Sequence, residues 1–385
     1  MSDAMTNLSA NEELKSIRPI RESVELQLFQ TEPDWREHWW GMPEFEMKDA
    51  SPQHRITVNF MTAKDVEDFA KVSGLPVTSI SDTVWFPHQK PLAGEFEYNG
   101  PKTDSKYPIC IPSKGRADCQ KTGKALDRIG ASYKFFVESD EYETYVKHLG
   151  ADKVVSMPFN NLGEGSIPAR NFIWEWCKER GHKRHWTVDD NINSFARTNY
   201  NRRLCVRGGG FFRAMEDYVD RYSNIAMAGP HHKGFVPDRN DRVGPYLLNS
   251  RIYSCILLDT TLNERWRGRY NEDTDLSLRL LKSGHCTLLF RALLMDKGGT
   301  ASGAGKGGLK GGNTDNVYNS GDHRRAFAQS LADQHPDCVK GVWKFDRWHH
   351  EVDYSNFKHH KPLIKKGITP TKSVDNYGMT LMKVK

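Results

Sequence analysis

Between positions 107 and 188, short apolar runs alternate with amphipathic stretches, the pattern of strands joined by helices. The run 107–112 predicts a buried strand. Ser113-Lys114-Gly115-Arg116 then predicts a turn that opens a helix reaching Leu126 and Ile129. Further strands are expected at 133–138, 153–157 and 185–188, and helices at 141–149 and 167–180; the latter carries the apolar Phe172, Ile173, Trp176 and Cys177. This order predicts parallel strands with right-handed crossovers. Ligands of open α/β sheets sit beyond the carboxyl ends of the strands. The 113–116 turn, Glu138 and Asp189-Asp190-Asn191 all fall at such ends, so one crevice is expected to hold them although they are far apart in sequence.

The flanks read differently. Residues 1–54 are acid-rich and weakly periodic, with Trp35, Trp39 and Trp40 expected at the surface. They suit an extension that drapes over the body or docks a partner. Ile56, Val58 and Phe60 alternate as in a strand, Thr62 and Asp65 form a capping-box pattern opening a helix to about Val72, and Val84-Trp85-Phe86 predicts a second short strand. Residues 55–104 are thus expected to be a small α+β module ending in a linker. The main α/β domain then spans 105–335, and a C-terminal segment spans 336–385.

The chain has 385 residues, 11% of them aromatic with ten Trp, too many for a disordered polymer. No run of about eighteen apolar residues occurs, which argues against a membrane-spanning helix. The residues after Met1 show neither the basic cluster nor the apolar run of a secretory signal, so the cell interior is the expected location. Seven scattered cysteines without a C-x-x-C pair suit free thiols in a reducing compartment.

The net charge of +6 is unevenly spread. Residues 1–60 hold six Lys/Arg against eleven Asp/Glu, whereas 338–385 hold ten against four. In that basic segment cations alternate with aromatics, as in Trp343-Lys344-Phe345-Asp346-Arg347-Trp348. Such a mixture neutralises phosphates and stacks on bases, which makes Lys344, Arg347 and Trp348 candidate DNA contacts. Arg202 and Arg203, with Arg207 and Arg213 around Gly208-Gly209-Gly210, form a second candidate cluster that an ordinary solvated loop explains equally well. His323, His335, His349, His350, His359 and His360 lack i, i+4 ligand spacing and are expected at the surface or facing DNA.

Three stretches carry candidate chemistry. Asp189-Asp190-Asn191 is an all-oxygen cluster suited to a hard cation such as Mg²⁺ or Mn²⁺ shared with substrate phosphates; an Asp-Asn turn after a strand is the plainer alternative. Glu272, Asp273 and Asp275 precede Leu276, Leu280 and Leu281, so Asp275 is expected to open a helix. Three acids exceed what a helix cap needs, and the surplus can supply a general base. The glycine-rich stretch 298–312 fails the P-loop register, since Gly307 follows Lys306 where Ser or Thr is required. It suits a lid bringing Lys306 or Lys310 to phosphates, or a plain flexible linker.

The opening strand with Ile111-Pro112-Ser113-Lys114-Gly115-Arg116, the strand-end Asp189-Asp190-Asn191, and Glu272-Asp273 starting a Leu-Arg-Leu helix together resemble a GT-A glycosyltransferase. More narrowly, residues 105 to about 330 resemble the TET/JBP-associated glycosyltransferases of phages that hypermodify DNA. The resemblance implies a GT-A-like, Rossmann-type mixed sheet flanked by helices, and a phage protein acting in the bacterial cytoplasm. It implies a UDP-sugar donor lined by Ser113, Lys114, Arg116, Glu138, Asp189 and Lys306, with Mn²⁺ or Mg²⁺ at Asp190 and Asn191. Asp273 would be the base of an inverting transfer, with Glu272 beside it. Asn191 stands where many members have a third acid. The implied acceptor is the hydroxyl of a modified pyrimidine, such as 5-hydroxymethylcytosine, extruded from duplex DNA. A transferase acting on protein or polysaccharide, or a DNA-binding protein with an inactive pocket, are the rival expectations.

Overall fold

The computed structural model describes residues 35–50, 52–86, 95–236, 243–268, 270–297, 323–344 and 346–384. Lys306 and Lys310, with the whole glycine-rich stretch, lie outside the described residues. Among the described residues the first α-helix is α1 (Ala63–Ser73), whose capping box pairs Thr62 with Asp65 as the spacing predicts. No residue of α1 is buried. The alternation at Ile56, Val58 and Phe60 forms no strand, and neither does 84–86. Ile56 and Val58 stay exposed, because alternation makes a strand only where a neighbour pairs with its backbone groups.

A strand at Phe96–Asn99 falls where a linker was expected; from Ile109 to Val188 the elements then follow the predicted alternation within about two residues. The first half comprises β1 (Phe96–Asn99), β2 (Ile109–Pro112), α2 (Lys121–Ile129), β3 (Lys134–Glu138), α3 (Tyr142–Leu149), β4 (Val154–Met157), α4 (Ile167–Glu179) and β5 (Arg184–Val188). The second half adds β6 (Ile192–Asn199), β7 (Arg202–Arg207), α5 (Gly210–Asp220), β8 (Ile225–His232), β9 (Tyr246–Leu248), β10 (Cys255–Asp259), α6 (Glu272–Lys282) and β11 (Cys286–Lys297). The last elements are α7 (Arg324–Gln334), β12 (Val339–Lys344), β13 (Arg347–Val352) and β14 (Thr380–Lys383).

Twelve strands form one mixed sheet in the order β14-β1-β7-β6-β11-β8-β10-β5-β2-β3-β4, with β9 also on β11. The β5-β2-β3-β4 half is parallel, as predicted. β10 lies antiparallel between β5 and β8, so β5 and β8 point the same way, and β11 runs parallel to β8. The carboxyl ends of β2, β3, β5, β8 and β11 therefore share one edge of the sheet, and the chemistry is gathered there. Helices flank the sheet: Trp186 of β5 meets Phe212 of α5 edge to face at 4.9 Å, while Trp174 of α4 packs near His185. The fold is the mixed α/β sheet flanked by helices that the pattern implies.

The flanks are tied into this body. Trp39, expected at the surface, is buried among Tyr218, Tyr246 and Phe290, with its indole N–H on the Pro43 carbonyl. Arg197 Nη2 and the Asn199 side chain hold the backbone of Glu44 and Glu46. β1 and β14, nearly 300 residues apart in sequence, pair antiparallel at the sheet edge. All seven cysteines are free thiols. Among the described residues no helix is long and apolar enough to cross a membrane.

Candidate active site

The turn after β2 is built for display. Gly115 takes φ +66°, a left-handed geometry that favours glycine, and its N–H donates to the Glu141 carboxylate at 2.9 Å. Ser113 and the Arg116 backbone N–H both meet the Tyr145 hydroxyl, at 2.8 and 3.1 Å. The side chains of Ser113, Lys114 and Arg116 consequently project over the carboxyl edge of the sheet. Lys114 Nζ reaches Glu138 at the end of β3 at 2.6 Å, and Glu138 also accepts the Asn161 N–H at 2.9 Å.

Asp189 and Asp190 follow β5 directly and have different partners. Asp189 Oδ1 accepts from Arg170 at 3.0 Å and Oδ2 from Lys297 at 2.7 Å. Burial alone would raise its pKa, but the two cations outweigh burial and hold it below the usual carboxylate range. Asp190 Oδ1 accepts from Arg116 at 2.6 Å and Oδ2 from Ser113 at 2.7 Å. Here burial wins, and its pKa is raised despite Arg116. Asp189 is thus fully compensated, whereas Asp190 is short of positive charge. Next to it Asn191 is buried, and among the described residues its Oδ1 has no hydrogen-bond partner. An undercompensated carboxylate beside an orphaned amide oxygen is a donor set that fits a hard cation. Asp189, by contrast, has a cation on each of its oxygens. Among the described residues no three His, Cys, Asp or Glu side chains gather into a metal cluster.

The opposite wall comes from α6. Asn271 caps it in a left-handed conformation (φ 58°), so the helix opens at Glu272 and not, as the sequence suggested, at Asp275. That places Glu272 and Asp273 in the first turn, where the unpaired backbone N–H groups favour negative charge. Glu272 is held back by Ser166 at 3.0 Å, with Arg170 at 3.8 Å, and burial raises its pKa. Asp273 Oδ1 accepts the Thr274 N–H at 2.7 Å. Among the described residues its Oδ2 accepts no hydrogen bond. Asp275 is structural: Arg267, Arg279 and His335 surround it at 2.8 to 3.2 Å, so the surplus of acids is two, not three. His335, expected at the surface, is buried; the cost of burying Asp275 explains why it is there.

These groups line one cavity of about 420 Å³. Ser113, Lys114, Arg116, Glu138, Asp189, Asp190, Asn191, Glu272 and Asp273 all border it. So do residues that sequence reasoning missed: Arg170, Lys297, Ser166, Arg251 and Tyr270. Arg170 is buried and stacked 4.6 Å over Trp266, bridging Asp189 toward Glu272.

The two proposed nucleic-acid clusters lie in different places. Lys344, Arg347 and Trp348 sit on the β12–β13 hairpin, with Trp348 against Trp343 and under Arg325. Lys344 is half exposed and paired with Glu351, and Arg347 bonds His349. The base of the hairpin packs on α6, with Val339 and Val352 in one cluster with Leu278 and Leu281. His350 on β13 is pushed below its usual range by burial and Arg251, with Asp273 near enough to oppose the shift. Arg202 and Arg203 start β7 opposite Asn199 and Thr198, the far end of β6 from Ile192. At roughly 3.3 Å per residue, Arg202 lies on the order of 20 Å along the strand from the carboxylates, so it does not join the cavity. Arg203 folds back to donate to the Lys233 carbonyl at 2.5 Å.

Residues 107–306, more than half of the chain, match the family described as TET-Associated Glycosyltransferase. The chain belongs to this family. The protein is therefore a glycosyltransferase, an activity that implies a nucleotide sugar as donor. No protein of curated function matches the sequence. A solved structure from Desulfovibrio desulfuricans G20, assigned as a nucleotide-diphospho-sugar transferase, is similar at 11% identity over 48% of this chain and 80% of that one. Its TM-score is 0.30, too loose a superposition to bear on the site.

Proposed function

We propose that this TET-associated glycosyltransferase moves a sugar from a UDP-sugar to the hydroxyl of a modified pyrimidine, such as 5-hydroxymethylcytosine, in duplex DNA. The observation that carries the reading is the shared cavity. Donor-side residues from three strand ends face Asp273 across it, and an aromatic, cationic hairpin stands beside Asp273.

Ser113, Lys114, Arg116 and Glu138 hold the nucleotide. Asp190 and Asn191 would hold a Mn²⁺ or Mg²⁺ ion, which when bound supplies charge neutralisation for the donor diphosphate. Asp273 Oδ2 takes the proton from the acceptor hydroxyl, whose oxygen bonds to the anomeric carbon as the bond to UDP breaks. Attack from the side opposite the leaving group inverts that carbon. Glu272 is pinned by Ser166 with Arg170 beside it, which leaves Asp273 the better-placed base. Lys344, Arg347 and Trp348 meet the DNA.

The test is mass spectrometry of hydroxymethylated duplex DNA after incubation with a panel of UDP-sugars and Mn²⁺. One productive donor should add the mass of one anhydro-sugar per target base. Release of UDP without modified DNA would refute the acceptor.

A further inference from the structure

The turn that leaves β8 holds a phenylalanine out in solvent. Phe235 is 69% exposed, yet its surroundings are fixed. Val236 is buried against Ala196 and Leu294, and the Lys233 N–H donates to the Met295 carbonyl at 2.8 Å. The Phe235 N–H closes onto the His232 carbonyl at 3.0 Å, and the Gly234 N–H onto His232 Nδ1 at 3.0 Å. The Phe235 ring leans on the His232 imidazole, centroids 4.9 Å apart and 35° between planes. A single exposed apolar side chain is ordinary. Here, however, the turn is ordered by its neighbours, and its largest side chain gains little burial from that order.

The location is what gives this a use. β8 points the same way as β5 with only β10 between them, so two strand spacings, roughly 10 Å, separate its carboxyl end from that of β5. His232 Nε2 lies 3.4 Å from the carbonyl of Lys297, whose ammonium holds Asp189. The Phe235 turn therefore stands on the Lys297 side of the cavity, and the Trp348 hairpin on the Asp273 side.

We propose that Phe235 is the wedge that enters the base stack when the acceptor nucleotide is extruded toward Asp273. The proposal rests on the DNA reading above. Extrusion leaves a gap whose unstacking costs a few kcal/mol, and an inserted apolar ring restores part of the lost contact. His232 braces the ring from behind, and Lys233 and Arg203 stand beside it for the backbone phosphates. Arg203, remote from the carboxylates, thereby has a role at the same interface.

Phe235 is solvent-exposed, so its replacement should leave the fold intact. Phe235→Ala should lower sugar transfer to a hydroxymethylated duplex on the order of tenfold, while transfer to the same oligonucleotide as a single strand changes less than about twofold. Phe235→Leu should retain most of the duplex activity. In a duplex with 2-aminopurine at the target position, the rise in fluorescence on wild-type binding should be lost with Phe235→Ala. Equal losses on duplex and single strand, or no loss on the duplex, would overturn the wedge. If the wild-type protein modifies neither form, the acceptor reading itself fails, and the wedge with it.

Discussion

Replacing Asp273 with Asn is the sharpest perturbation of the chemistry the cavity allows. The variant changes one carboxylate oxygen to an amide nitrogen and keeps the volume. The carbonyl oxygen can still accept the Thr274 N–H that Asp273 Oδ1 accepts at 2.7 Å. What it loses in the fold is a negative charge at a helix N-terminus, about 0.3–1 kcal/mol. What it loses in the reaction is the carboxylate oxygen that takes the proton. General-base catalysis contributes roughly 10²–10⁴-fold, which at 1.36 kcal/mol per tenfold is about 3–5 kcal/mol of barrier. Asp273→Asn should therefore lower kcat by two to four orders of magnitude, with UDP affinity by calorimetry and thermal stability nearly unchanged. Glu272→Gln preserves an acceptor for Ser166 and should cost less than about tenfold in kcat, since Glu272 takes no proton in this scheme. The reasoning is wrong if Asp273→Asn turns over normally, or if Glu272→Gln proves the more damaging change.

Three further outcomes follow from the same geometry. Asp190→Ala should abolish the metal-dependent part of UDP binding, measured by calorimetry with and without Mn²⁺; an unchanged affinity in Mn²⁺ would remove Asp190 from the cation site. Asp275→Asn strips charge from the centre of Arg267, Arg279 and His335, and breaking a buried ion pair from one side costs about 3–5 kcal/mol. Urea unfolding should show that loss, and one below about 1 kcal/mol would mean the cluster is better solvated than its geometry implies. His185 is fully buried, its Nε2 has no partner among the described residues, and burial pushes its pKa down to about 3. A His whose folded pKa is depressed contributes stability that is complete above its unfolded pKa, near 6.5, and is lost as pH falls toward 3. At pH 5 the loss is about 2 kcal/mol. The fall in urea midpoint from pH 7 to pH 5 should therefore be smaller in His185→Leu than in wild type.

How much of this could be read from the sequence depends on the range of the forces involved. Ser113, Glu138, Asp189 and Asp190 were legible because each ends a short apolar run, and a parallel sheet sends all such ends to one edge whatever lies between them. Asp273 was legible as one of more acids than a helix cap needs beside a strong apolar stripe, although the helix opens at Glu272 and not at Asp275. Arg170 and Lys297 were not. Each is a single cation inside an element whose pattern is set by its neighbours, and each matters only because Asp189 arrives from another strand. The same holds for Trp39 and His335: their burial is decided by what packs over them, Tyr218 and Phe290 in one case and Asp275 in the other.

The strand expected at 56–60 fails in the opposite sense. Its local pattern is sound, but a ladder needs a partner, and periodicity within one segment carries no information about whether a partner exists. That asymmetry bears on the metal. Sequence alone saw two adjacent carboxylates and inferred a cation to offset their repulsion. The fold divides them, giving Asp189 two protein cations and leaving Asp190 with one guanidinium and a hydroxyl. The case for a bound ion therefore no longer rests on repulsion between the pair. It rests on the uncompensated burial of Asp190 and the orphaned oxygen of Asn191, and those two side chains should govern cation affinity while Asp189 governs the placement of Arg170 and Lys297.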